Sequence, residues 1–139
     1  MIIDPGRGNV DLFEARSAIE VYAAQLAAKR RTAEDLDNMQ DALLEMERNI
    51  HMKKDVNHAS MRFHTALIAA SKNEVLMKIN EFLMDVLNFS RQEFLKESTQ
   101  QDAALAQHRK IFQAIKFADA EAAAAEMQAH LYVVNKINQ

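Results

Sequence analysis

The chain has no cysteine, no tryptophan, one proline and two glycines in 139 residues. Without thiols there is no disulfide framework, no thiolate metal site and no cysteine nucleophile, a composition that suits a reducing compartment. So little glycine and proline leaves few places where the backbone can turn sharply. A net charge of −3 provides no polyanion-seeking surface, so the chain as given is a poor nucleic-acid binder by electrostatics alone. It shows no signal peptide, and no apolar run approaches the roughly 20 residues needed to span a bilayer. A soluble, cytoplasmic protein with no membrane partner is expected.

What the chain does have is helix-forming residues: Ala, Leu, Met, Glu, Gln and Lys dominate it. Its length suits one domain with a sizeable core. Residues 1–10, MIIDPGRGNV, hold the proline and both glycines and read as a linker; residues 11–139 read as the domain. Leu12, Ala15, Arg16, Ile19 and Ala23 recur at helical spacing and predict a first helix over 11–30. Thr32 with Asp35 resembles a capping box opening a second helix to about residue 49. Asp55 can cap a third over 56–71, Asn73 opens a fourth to about residue 96, Ser98 or Thr99 a fifth, and Asp119 a sixth. The expectation is an all-α fold, an antiparallel bundle of about six helices in which short connections make consecutive helices neighbours. The alanine run at 120–127 reads as a surface for close helix packing.

Polar residues interrupt the apolar stripes at a few positions. His64 is followed by Leu67 and Ile68, His108 lies between Leu105 and Phe112, and His130 lies between Met127 and Val134. A lone histidine there is most simply a core side chain bonded to a neighbour. Three on three helices are most readily explained by a divalent cation, or an anion, bound between them. His51 falls near a helix connection, and His58 lies about 120° off the face of His64, so both read as solvated. Arg16 and Arg91 also sit on apolar stripes, and a buried guanidinium needs an acid or a bound anion. A metal beside buried arginines makes a receptor for a small carboxylate, which can coordinate the ion and accept paired bonds from arginine.

The segments at 12–36, 62–76 and 107–131 resemble, in order and spacing, the effector-binding domain of GntR-type transcription factors of the FadR subfamily. The resemblance implies a helical domain that binds a small organic acid, often beside a metal ion. It implies a homodimer, and a winged helix-turn-helix domain on the N-terminal side of the full-length protein that contacts DNA. The 11 residues before Leu12 are too few for that domain, so the chain is expected to be part of a longer regulator. The family's three histidine ligands fall on His64, His108 and His130, while its aspartate ligand falls on Ser60, a weaker donor. Zn or Ni suits such imidazoles. Arg16 matches an arginine that faces the family's cavity, and Arg91 rests mainly on periodicity. Gln107 stands where the family usually has Glu, with a side chain expected to point elsewhere. Two other readings remain open: a metal-dependent enzyme using the three histidines, for which Glu126 is the nearest candidate base, and a structural bundle with a satisfied polar core.

Overall fold

Helix dominates the backbone of residues 5–94 and 98–137, which, with the side chains of 10–86 and 100–133, are what the computed structural model describes. Among these residues there are six helices and no strand. The first, α1, is continuous through Pro5–Arg16, a π-helical turn Ser17–Val21, and Tyr22–Arg30. It is followed by α2 (Ala33–His51), α3 (Asn57–Ala70), α4 (Glu74–Phe94), α5 (Ser98–Lys116) and α6 (Ala120–Ile137). The segment expected as a linker is therefore helical from Pro5 onward. Proline fits there because the first helical position has no intrahelical partner for an N–H.

The other helix starts follow the side chains that the sequence offers. The Thr32 hydroxyl accepts from the Asp35 N–H, and the Asp35 carboxylate accepts from the Thr32 N–H. Asp55 accepts from the Asn57 N–H, Asn73 from the Leu76 N–H and Asp119 from the Ala122 N–H. The side chains of Ser98 and Thr99, the candidates for α5, lie outside the described residues. At the helix ends the shortage of glycine has a visible consequence. Lys53, Lys72 and Ala118 take left-handed backbone, with φ of 57°, 57° and 59°. At Ala118 the Ala118 N–H meets the Ile115 carbonyl and the Asp119 N–H the Ala114 carbonyl, closing the end of α5 in a geometry usually given to glycine.

The Tyr22–Arg30 segment of α1 is the centre of the bundle, packed against α3, α5 and α6. Ala23, Ala24, Ala27 and Ala28 are fully buried there, and their small side chains let three neighbours approach one helix. Around them lie Met39, Met46, Phe63, Leu67, Ile111, Ile115, Met127 and Leu131. The alanines of α6 contribute as well, through buried Ala123. Consecutive helices α2–α3, α3–α4 and α5–α6 are packed neighbours, as short connections predict, but among the described residues α1–α2 and α4–α5 are not closely packed pairs. The extended backbone of Arg31 and Thr32 steers α2 away from α1 and onto α3 and α5. Arg31 then bonds the Ile115 and Lys116 carbonyls at the end of α5, and Arg30 bonds the Ser71 carbonyl at the end of α3. Cations there complement the negative ends of both helix dipoles.

Burial alone would raise the Asp35 carboxyl, but the Lys72 ammonium at 2.6 Å and the Thr32 N–H and hydroxyl outweigh it and hold the group below its usual pKa. A depressed carboxylate stabilises the fold above its unfolded pKa and loses that contribution as pH falls through the folded value. Thermal melts of Asp35→Asn should therefore lie below those of the parent at pH 7, with the gap closing below about pH 4. A gap that stays constant on acidification would contradict this assignment.

Candidate functional site

Three helices bring the sequence-predicted histidines together. His64 of α3 follows Phe63 and precedes Leu67 and Ile68 on the buried stripe, so its ring enters the core with them. His108 of α5 and His130 of α6 arrive from their own buried stripes, next to Leu105, Phe112, Met127 and Leu131. All three are at most 2% exposed. Ring centroids lie 5.0 Å apart for His64 and His108, 5.3 Å for His64 and His130, and 4.8 Å for His108 and His130. One ligating nitrogen from each falls within 4.8 Å of the others. Phe63 packs against His108 with ring centroids 4.9 Å apart and forms part of an apolar wall.

The outer nitrogen of each ring meets a different group. His64 Nδ1 meets the Glu20 carboxylate, His130 Nδ1 meets Gln107 Oε1 at 2.6 Å, and His108 Nδ1 faces Met46 Sδ at 3.4 Å. A carboxylate and an amide oxygen are acceptors, so His64 and His130 hold their protons on Nδ1 and direct Nε2 lone pairs elsewhere. His64 Nε2 lies 3.0 Å from His108 Nε2. Two nitrogens that close share either a hydrogen bond, with His108 in its Nε2–H tautomer donating to the His64 Nε2 lone pair, or a metal ion. The donor set fits a divalent metal: Nε2 of His64, His108 and His130 would hold it, and Glu20 and Gln107 would orient two of the rings, as outer acceptors do in histidine metal sites.

Glu20 is 1% exposed and also accepts from Arg16 Nε at 2.6 Å. Arg16, 5% exposed, thus finds the acid that its burial requires. Its Nη2 is buried and has no hydrogen-bond partner among the described residues. Arg16 ends the first α-helical segment of α1, and Glu20 lies inside the π-helical turn that follows. Such wide turns often mark functional positions.

Other expected residues fall as follows. Ser60 is buried on α3, one turn before His64. Asn57, a further turn back, directs Nδ2 to Met61 Sδ. His51 and His58 are exposed, and His58 lies 3.6 Å from Glu45. The side chain of Arg91 lies outside the described residues. Two expectations are corrected. Gln107 turns inward to His130, because its helix places it one residue before His108 and within reach of the α6 ring. Glu126 lines a surface groove between α5 and α6 with Arg109, Gln113 and Phe117, away from the histidines.

Glu20 and Met46 were not singled out from sequence. A signal for Glu20 was present: it lies four residues after Arg16, and three and four residues before the fully buried Ala23 and Ala24. An acid at those offsets belongs on the buried face.

Comparison with known proteins identifies the family and the fold. The family model of the FCD domain matches residues 11–132. The chain is 33% identical over 132 residues to the HTH-type transcriptional regulator LutR of Bacillus subtilis, spanning 91% of this chain and 60% of that protein. It is 30% identical over 112 residues to the galactonate operon transcriptional repressor of Escherichia coli, spanning 79% of this chain and 48% of that protein. Among solved structures, Streptococcus agalactiae GntR superposes with a TM-score of 0.81 at 26% identity, over 98% of this chain and 62% of that one. The chain belongs to the FCD domain family, found in transcription regulators of the GntR type.

Proposed function

We propose that this domain is the sensor of a FadR-type regulator, in which a small carboxylate binds between the three histidines and Arg16 and so controls DNA binding. The observation that carries the reading is the Arg16 guanidinium, buried beside the histidine cluster through Glu20 with one donor nitrogen unmatched among the described residues. A bound carboxylate would supply the missing acceptor, and fork-shaped pairing is what arginine offers such an anion. A divalent ion, Zn or Ni, on His64, His108 and His130 would add Lewis acidity for the same carboxylate. With Ser60 in place of an aspartate, the acid itself completes the donor set. The name of the galactonate repressor refers to a hydroxy acid, which favours hydroxycarboxylates as the class to test first.

Control of DNA requires the ligand to favour one of two states. A carboxylate at Arg16 competes with Glu20 for the guanidinium, and both lie at the π-helical turn that joins the two halves of α1. Loosening that pair changes the turn and redirects Pro5–Arg16, the half nearer the N-terminal side where the DNA-binding domain is proposed. Homodimer formation, a cytoplasmic location and a share for Arg91 in anion binding belong to the same proposal. Catalysis is disfavoured because Glu20, the carboxylate at the cluster, is held by Arg16 and by the Nδ1 side of His64, away from Nε2.

A thermal-shift series with galactonate, lactate, malate and acetate, each with and without Zn2+, tests the reading. At 100 times its Kd a true effector should add about 2.7 kcal/mol of stability, and chelation should remove most of the shift. No shift from any hydroxy acid, with or without metal, would refute it.

A further inference from the structure

On another part of the bundle, α3 and α4 leave a groove of about 390 Å³ that none of the three histidines lines. Its size lies in the range of small-molecule sites. Met61 and Ile68 of α3 face Met77 and Met84 of α4 across it. Thioether side chains are polarisable and adapt their shape to a ligand. Thr65 of α3 adds a hydroxyl to the lining, and the amide and carboxylate groups come from α4. Asn80 is 3% exposed, and its Oδ1 is buried with no hydrogen-bond partner among the described residues. Such an acceptor inside a packed protein calls for a donor. Glu81 and Asp85, one turn apart, line the same groove and are exposed. Like charges at that spacing repel each other. Lys78 approaches Glu81 only to 3.7 Å with both side chains largely in solvent, and Asp85 has no ion pair among the described residues.

We infer that this groove is a second ligand site, specific for a small organic ammonium ion with an apolar arm. The ammonium donates to Asn80 Oδ1 and lies against Glu81 and Asp85, while the arm runs along Met61, Met77 and Met84. A neutral alcohol of the same length offers a donor without the charge, and a carboxylate is repelled by the acidic rim. The inference is independent of the sensor proposal.

Backbone amide NMR titration of the chain at pH 7 tests it, with n-hexylamine as the probe and 1-hexanol and hexanoate as comparisons. Saturable shifts are expected for hexylamine in residues 61–69 and 77–85, with hexanol about tenfold weaker and hexanoate inert. Asn80→Leu should weaken hexylamine about tenfold. Because that variant removes a buried amide, the surface double variant Glu81→Gln, Asp85→Asn provides a second arm without a change in the core, and it should bring hexylamine down to the level of hexanol. Hexanol binding as tightly as hexylamine, absence of saturation, or undiminished binding in the double variant would overturn the inference.

Discussion

Equilibrium dialysis of the His108→Ala protein against Zn2+ is expected to show a loss of affinity larger than the roughly 10–100-fold that removal of an outer hydrogen-bond partner costs. His108 is the ring that the cluster can least spare. It lies 3.0 Å from His64 between Nε2 atoms and has the shortest ring separation to His130, 4.8 Å. The companion variant should move the other way. Gln107→Glu gives His130 Nδ1 a carboxylate partner in place of an amide, and a more basic imidazole binds metal more tightly, by up to about tenfold. Circular dichroism on both variants separates ligand loss from unfolding. If the two variants and the parent bind equally little metal, the cluster is a satisfied polar core and the metal has no place in it.

Glu20→Ala is expected to destabilise the protein by about 3–5 kcal/mol, because it leaves the Arg16 guanidinium buried without its acid. That is a large share of the roughly 5–15 kcal/mol that holds a typical domain together. Urea denaturation measures it. The double variant Arg16→Met, Glu20→Leu removes both charges and should recover much of the loss, since the penalty comes from the stranded partner more than from the missing attraction. A Glu20→Ala protein within about 1 kcal/mol of the parent would mean that the pair is already open to water, and that Arg16 is not an anion receptor in a dry core.

Much of this was legible because helix periodicity is a local property. The stripes carrying His64, His108 and His130 could be read one at a time, and three imidazoles on three buried faces have few places to go but together. Capping at Thr32, Asp35, Asn73 and Asp119 was equally local. What escaped was decided between elements or by a shift of register. The direction of Gln107 depends on where α6 places His130, which no spacing along α5 reveals. Pairing of Glu20 with His64 spans 44 positions. Along α1 the four-residue offset puts Glu20 beside Arg16, but the π-helical turn at Ser17–Val21 that carries it has no signature in the spacing. The central position of Tyr22–Arg30 was hidden for another reason. Alanine periodicity reads as weak amphipathicity, yet small side chains are what allow one helix to contact three others.

X-ray absorption at the zinc edge, on protein loaded with one equivalent and purified without an affinity tag, tests the central claim most directly. Three imidazole nitrogens at about 2.0–2.1 Å are predicted, together with a change in the oxygen shell when a stabilising hydroxycarboxylate is added. A spectrum with fewer than three imidazoles, or one that is the same in the His108→Ala protein, would contradict it.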